Sequence, residues 1–125
     1  NHRQMNTYEV IGRIGSDAEV KTLQSNKVLS FTMAIDRSYW DRNAKQKVER
    51  VEWLTISKFF DLQNEVKLAQ YLTKGTLVFV SGIPKAQAWI DKEGKPQGAL
   101  SVTGRDIQIL ASANVTPKPA DATPY

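Results

Sequence analysis

The feature that most constrains the fold is an alternation of apolar and polar side chains in residues 28–36. The odd positions from 29 to 35 carry large apolar side chains, whereas the even positions from 30 to 36 carry small or polar ones. Successive side chains of a β-strand point to opposite faces, so this period of two predicts a strand with one face in a core. Further strands are predicted at residues 8–14, 51–59, 76–83, 85–90, 99–102 and 107–110.

One helix is predicted between the third and fourth strands, over residues 61–73. Asp61 is a suitable N-cap and Gly75 a left-handed C-cap. The apolar residues of this segment recur at spacings of four, three and three: Leu62, Val66, Ala69 and Leu72. Three strands, a helix and a further hairpin predict an OB-fold, a five-stranded Greek-key barrel with an extended hairpin. A small β-sandwich is the competing architecture.

The chain of 125 residues is long enough for one domain, which we place at residues 5–111. Residues 1–4 precede Met5 and are expected to be disordered or left over from cloning. Residues 112–125 contain three of the five prolines and few large aliphatics, so we expect a disordered tail. Within the domain, residues 91–95 read as a hairpin turn with Gly94 at positive φ.

Cysteine is absent and His2 is the only histidine, which excludes disulfides and zinc sites built on thiolates or several imidazoles, and argues against a Ser-His-Asp triad. Magnesium held by carboxylates remains possible, but the carboxylates mostly stand singly in predicted turns. We therefore expect no catalysis and no cofactor. The longest apolar run is residues 77–80, far short of a membrane span, and no secretory signal is visible. These absences predict a cytoplasmic protein with no membrane partner.

The net charge of +4 comes mostly from one segment, residues 37–50, which contains five cations and two anions. These cations are Arg37, Arg42, Lys45, Lys47 and Arg50. A cluster of this kind suits a polyanionic partner. The alternative is an ordinary solvated loop.

Large aromatic residues fall on the polar faces of two predicted strands. Trp53 and Phe59 occupy odd positions in residues 51–59, opposite the aliphatic positions of that strand, and Trp89 shares its face with Lys85. Burial alone would place these rings with the aliphatics. They are interpreted either as platforms on which unpaired bases stack or as surfaces covered by another subunit.

A third group of aromatics opens the basic segment, where Tyr39 and Trp40 stand beside Arg37 and Arg42. Cations interleaved with exposed rings are typical of a groove for single-stranded nucleic acid, since the cations follow phosphates and the rings hold bases. Phe31 and Phe79, in contrast, are interpreted as core residues.

The sequence resembles the bacterial-type single-stranded DNA-binding proteins over about residues 5–110. The likeness rests on the order and spacing of several segments: NTYEVIGRIGSDAEV at 6–20, FTMAI at 31–35, the pair Tyr39-Trp40, the pair Glu52-Trp53, YLTKG at 71–75 and VFVSG at 78–82. Two positions depart from the family pattern. Gln87 stands where relatives often carry a cation, and Phe60-Asp61 replaces a frequent Gly-Lys pair.

The resemblance implies base stacking at four positions, namely Trp53, Phe59, Trp89 and either Tyr39 or Trp40, and phosphate contacts at Lys85 and Arg37. Together with the basic segment, the predicted phosphate-binding residues are Arg13, Arg37, Arg42, Lys45, Lys47, Arg50 and Lys85. The resemblance further implies a homotetramer and a bacterial protein of the nucleoid and replication forks.

The predicted function is non-catalytic binding and protection of single-stranded DNA, largely independent of sequence, in replication, recombination and repair. The alternatives are a dimeric primosome-type OB-fold accessory protein, a protein-interaction OB adaptor and a metal-dependent nuclease. Relatives carry a tail with an acidic end that recruits replication proteins, whereas Asp121 is the only acid in the last fifteen residues here. Either the chain is cut short, or it recruits no partners through such a tail.

Overall fold

Eight strands and one short helix account for the regular structure of residues 4–112, the part of the chain that the computed structural model describes. The strands are β1 (Tyr8–Ile14), β2 (Glu19–Thr22), β3 (Lys27–Asp36), β4 (Tyr39–Asp41), β5 (Gln46–Val48), β6 (Val51–Phe60), β7 (Leu77–Ile90) and β8 (Pro96–Ala111), and a 3₁₀ helix covers Lys67–Tyr71. The mostly β prediction is confirmed. The predicted disorder in residues 1–4 and 112–125 lies outside the described residues, apart from Gln4 and Ser112.

Strand pairing closes five of these strands into a circuit. The order within the main sheet is β1-β7-β8-β6-β3-β2, and β1 also pairs with β3. Within residues 4–112, strand β2 pairs only with β3, and β4 with β5 forms a separate hairpin. The β6–β8 pairing is parallel and the other pairings are antiparallel. Residues 37–50 therefore project from the circuit between β3 and β6.

The core lies inside this circuit and follows the alternation of the sequence. In β3 the fully or nearly fully buried side chains are Leu29, Phe31 and Met33, and in β6 they are Leu54 and Ile56. Each large aliphatic side chain removed from water stabilises the fold by roughly 1.5–3 kcal/mol. The polar face of each strand is thereby left on the outside of the barrel.

The predicted helix at residues 61–73 is wrong, because only Lys67–Tyr71 is helical and its hydrogen bonds are of the 3₁₀ type. The Asn64 side-chain oxygen accepts the Val66 N–H, and Val66 takes a left-handed φ of 50°, which blocks a helix that begins at Asp61. Val66 and Leu72 are buried as the spacing required, but Leu62 is exposed. The helical spacing of apolar residues in this segment therefore reflects two buried side chains, Val66 and Leu72, and not a continuous helix.

The predicted strands after residue 76 were too short, because the segments predicted at residues 76–83 and 85–90 form one strand, β7, and those predicted at residues 99–102 and 107–110 form another, β8. Strand β7 continues through Pro84, where its only partner is β8, so the missing N–H costs no bond to a second neighbour. Beyond Ala86 the β7–β8 hairpin leaves the barrel, because β8 pairs with β6 only from Leu100 onward, and both faces of the hairpin are exposed there. Ile90 is 73% exposed at the hairpin end.

The interpretation of Phe79 as a core residue is also wrong. In β7 the buried side chains are Val78 and Val80, so Phe79 points outward and is half-buried beside Ile11 of β1. The strand is apolar at successive positions, and a run of that kind does not reveal which parity faces the core.

No helix in residues 4–112 has both the length and the apolar character needed to span a membrane.

Candidate nucleic-acid interface

One outer surface of the barrel collects three of the predicted stacking residues, and we call it the aromatic face. It consists of the outward residues of β3, β6, β7 and β8, among them Trp53, Phe59 and Trp89. Paired residues of neighbouring strands share a face. Trp53 pairs with Ala34 of β3, Phe59 pairs with Val28 of β3, and Trp89 pairs with Gln97 of β8.

Small hydroxyl side chains fill the space between the rings. Thr55 of β6 pairs with Thr32 of β3 and with Ser101 of β8, and Ser101 in turn pairs with Lys85 of β7. These four residues form one row across the sheet, at about 4.8 Å per strand. Trp53 and Phe59 are six residues apart on β6, or roughly 20 Å. On this face the rings therefore stand apart from one another, and the surface between them consists of small polar side chains.

The rings on this face are open to solvent. The exposed fractions are 61% for Trp53, 51% for Phe59 and 49% for Trp89. On the opposite face of β6, Leu54 and Ile56 are 3% and 0% exposed. The predicted division of β6 into an aliphatic face and an aromatic face thus matches the structure.

The Trp53 ring lies directly over Gly15, in the bend that follows β1. A Cβ atom built on Gly15 would stand 2.4 Å from Cζ3 of Trp53 and 3.0 Å from the Thr32 hydroxyl oxygen. The backbone N–H of Gly15 donates to the carbonyl oxygen of Thr32, with an N···O distance of 2.8 Å. This glycine therefore provides the room in which the indole lies flat.

Two lysines border the aromatic face. Lys85 lies on β7, and Lys21 of β2 pairs with Val28, the neighbour of Phe59. Within residues 4–112 neither ammonium group has a hydrogen bond or an ion pair. Lys21 was not predicted, because β2 has only four residues and all of them are exposed, so no buried face marks the strand. The sequence signal near Lys21 is the polar run Gln24-Ser25-Asn26, which forms a turn in which the Leu23 N–H donates to the Asn26 carbonyl oxygen.

The second part of the candidate interface is the β4–β5 hairpin. Asp41 accepts hydrogen bonds from the backbone N–H groups of Asn43 and Ala44, and Lys45 has a left-handed φ of 53°, so the turn is well defined. Trp40 is 61% exposed and pairs with Lys47. The basic segment is therefore an ordered hairpin, and its rings belong to a sheet separate from the aromatic face.

Several predicted phosphate-binding cations already have partners. Arg37 forms an ion pair with Glu52 at 2.7 Å, and the hydrogen bond within that pair raises the pKa of Arg37 above its usual value. Lys47 lies 3.7 Å from Glu49, and the Arg50 guanidinium lies 5.9 Å from the centroid of the Tyr39 ring. The Asp36 carboxylate is engaged by Ser38, whose hydroxyl and backbone N–H hold the pKa of Asp36 below its usual value.

Other predicted cations have no partner among the described residues. Arg42 and Lys45 are exposed on the hairpin, and Lys85 lies on the aromatic face. Arg13 differs, since its guanidinium donates to the carbonyl oxygen of Gly75 at 2.9 Å. It lies two strands from Trp53, with Ala34 between them.

The hairpin end that carries Trp89 is held by one carboxylate. Asp91 accepts hydrogen bonds from the backbone N–H groups of Lys95 and Glu93 and from the side-chain amide of Gln97, each at 2.9 Å. These bonds, with Lys95 first and Gln97 second, hold the pKa of Asp91 below its usual value. Gly94 has a φ of 80°, as the turn prediction required.

A second outer surface, which we call the β1 face, consists of the outward residues of β1 and of its partner segment in β7. Ile11 pairs with Phe79, and Arg13 pairs with Leu77. Together with Ile35 and Val51 these side chains line an open groove of about 800 Å³. In residues 8–12, β1 pairs only with β7, so among the described residues its other edge has no partner strand.

Comparison with known proteins identifies the family of this chain. The model of the single-strand binding protein family matches residues 5–110. The chain belongs to this family. Single-stranded DNA-binding proteins from two strains of Neisseria meningitidis, of serogroups A and B, are 32% identical to it over 111 residues. Those alignments cover 88% of this chain and 62% of each relative, so the chain spans about three-fifths of their length.

Solved structures agree with the family assignment. The Plasmodium falciparum protein described as an SSB complex with ssDNA has a TM-score of 0.65 and 29% identity, and the match covers 88% of this chain and 98% of that chain. A small single-stranded DNA-binding protein from Streptomyces coelicolor has a TM-score of 0.66 at 17% identity, over 83% and 93% of the two chains, which supports the fold alone. The resemblance identified from the sequence is therefore confirmed.

Within residues 4–112 no group of three or more acidic, histidine or cysteine side chains is arranged to hold a metal ion.

Proposed function

We propose that this chain binds single-stranded DNA, largely without regard to sequence, by stacking bases on the aromatic face while cations contact phosphates. The observation that carries this proposal is the exposure of Trp53, Phe59 and Trp89 on one continuous outer face. Duplex DNA hides its base faces, so the same surface favours single strands. Non-catalytic protection of DNA in replication, recombination and repair, in the bacterial cytoplasm, is the corresponding biological role.

The size of the aromatic contribution is compatible with tight binding. A base stacked on an aromatic side chain contributes roughly 1–3 kcal/mol, so four such contacts supply about 4–12 kcal/mol before the cost of ordering the strand. The small hydroxyl side chains between the rings favour base stacking, because they leave space beside each ring and a polar surface beneath the strand.

The fourth stacking position is assigned to Trp40 rather than Tyr39. The Arg50 guanidinium already covers one side of the Tyr39 ring, whereas Trp40 is more exposed. Tyr39 and Arg50 then keep the hairpin in place on its stem, where the Arg37 N–H also donates to the Arg50 carbonyl oxygen.

The phosphate contacts are assigned first to Arg42, Lys45, Lys85 and Lys21, which have no partner among the described residues. Arg13, Arg37, Lys47 and Arg50 are secondary, because their existing partners would have to be exchanged for phosphate. Each phosphate contact releases a counterion, so affinity falls as salt rises.

A homotetramer is part of the proposal, as the family resemblance implies, and the β1 face is proposed as one contact between its copies. Ile11, Leu77 and Phe79 form an outward apolar patch next to a strand edge whose N–H and C=O groups are unpaired within the described residues. Edges of this kind pair readily with another strand. Two β1 strands from neighbouring copies would satisfy those groups and cover the patch. Four copies correspond to about 56 kDa, four times 14.0 kDa.

The proposed function is tested by fluorescence anisotropy with labelled oligo(dT) and with a labelled duplex of the same length, at two salt concentrations. We expect tight binding of oligo(dT), weak binding of the duplex, and weaker binding of both at the higher salt. Equal affinity for single strands and duplex would overturn the stacking mechanism, and no binding at low salt would favour the protein-interaction adaptor. The same DNA incubated with Mg²⁺ remains intact if the protein is not a nuclease.

A further inference from the structure

A small pocket opens beside one of the stacking rings, and we call it the Phe59 pocket. Its lining residues are Asn26, Lys58, Phe59, Phe60, Asp61 and Asn64. The volume of about 350 Å³ lies at the lower end of the range for small-molecule sites. Four of the six residues are polar or charged, so this pocket differs from the surface of small hydroxyl side chains elsewhere on the aromatic face.

The polar groups of this pocket retain hydrogen-bonding capacity. Within residues 4–112 neither the Asp61 carboxylate nor the Asn26 side-chain amide has a partner. The Asn64 side-chain oxygen is used by the Val66 N–H, which leaves its NH₂ group. The Lys58 ammonium donates to the Arg105 carbonyl oxygen and lies 5.5 Å from the centroid of the Phe60 ring, and two of its three N–H groups remain.

A carboxylate at this position is poorly suited to phosphate, which it repels, but well suited to a base edge. An ionised Asp is an acceptor only and can take two parallel hydrogen bonds. Among the four DNA bases only guanine presents two adjacent donors, N1–H and N2–H₂, with the O6 acceptor beside them. The remaining donors of Asn26, Asn64 and Lys58 complement O6.

We propose that the Phe59 pocket is a guanine-selective subsite, in which Asp61 accepts from N1–H and N2–H₂ of a base stacked on Phe59. The proposal rests on the proposed function and adds one selective position to an otherwise tolerant surface. Asp61 is thus a specificity-determining residue of this surface.

The test uses the full chain and labelled oligo(dT) strands in which one central thymidine is replaced by dG, deoxyinosine or dA. Deoxyinosine keeps N1–H and O6 but lacks the N2 amino group. We expect the dG strand to bind about fivefold more tightly than all-dT, and the deoxyinosine and dA strands to lose most of that preference. Asp61→Asn is expected to remove the preference for dG.

Glu65→Gln is the matched control, because it makes the same change of charge in the same segment outside the pocket, where Glu65 pairs with Lys67 at 3.6 Å. It is expected to keep the dG preference. Equal affinity of the wild type for dG and dT strands would overturn the subsite, as would a dG preference that survives in Asp61→Asn. Since all-dT binding is measured in the same experiment, its loss would instead overturn the proposed function.

Discussion

The aromatic face and the β1 face both expose large apolar side chains on one barrel, but their arrangement differs. On the aromatic face Trp53 and Phe59 are separated by the small hydroxyl side chains of Thr55 and Ser57. On the β1 face Ile11 and Phe79 are direct neighbours beside an open strand edge. Separated rings suit flat ligands that bind and leave, whereas contiguous aliphatics with unpaired backbone suit another protein strand.

The largest effect is expected on the β1 face. Ile11→Glu places a charge in the proposed contact between copies, where it would be desolvated. We expect the mass measured by light scattering to fall from about 56 kDa to about 28 kDa or less. Ile90→Glu is the matched control, because it makes the same substitution at an exposed position on the β7–β8 hairpin. If both variants keep the wild-type mass, the β1 face is not the contact.

On the aromatic face, Trp53→Ala is expected to weaken oligo(dT) binding by about 10- to 100-fold, the loss of one stacked base. The melting temperature should change little, since the side chain is mostly exposed. Tyr71→Ala removes an exposed ring elsewhere on the surface and serves as the control. Anisotropy and thermal melting of both variants separate binding from folding, and a Trp53→Ala protein that unfolds would make the ring structural.

A smaller effect is expected at the position that supports the Trp53 ring. Gly15→Ala forces the indole to move, because the new Cβ would stand 2.4 Å from it, and we expect a loss of about threefold to tenfold in oligo(dT) affinity. Gly98→Ala is the control, since its nearest neighbour would be an ordinary 3.8 Å away. In a Trp53→Ala background the Gly15 substitution should have no further effect on affinity. An undiminished effect there would mean that Gly15 acts on the barrel itself.

The smallest effect concerns the hairpin end that carries Trp89. The pKa of Asp91 is lowered in the folded chain, so its contribution to stability is present above the unfolded pKa of about 3.9 and is lost as pH falls through the lower folded value. We expect Asp91→Ala to speed amide exchange at Lys95 at neutral pH. The difference from the wild type should vanish once the pH is below the folded pKa of Asp91, and a difference that grows on acidification would contradict the assignment.

The aromatic face could be predicted from sequence because one rule, the period of two, fixes both the core and its opposite face. Leu54 and Ile56 identify the buried parity of β6, and that alone places Trp53 and Phe59 outside. The rule fails where both parities are apolar, as at Phe79. It also fails in the short strand β2, where Val20 is exposed together with its three neighbours, so Lys21 was missed.

The helix at residues 61–73 could not be corrected from local spacing. Its failure depends on the Asn64 side chain and on the left-handed backbone of Val66, neither of which a helical pattern reveals. Ion pairs such as Arg37 with Glu52 also depend on the register of distant strands. A cation count therefore overestimates the number available for phosphate.

The most direct test of the stacking mechanism uses the three tryptophans of the chain. In the double variant Trp40→Phe and Trp89→Phe, Trp53 is the only indole, and its fluorescence reports on the centre of the aromatic face. Titration with oligo(dT) should quench this emission strongly at low salt, and less at equal concentrations in high salt. The duplex should quench it weakly. Tight oligo(dT) binding with no change in Trp53 emission would contradict base stacking on the aromatic face.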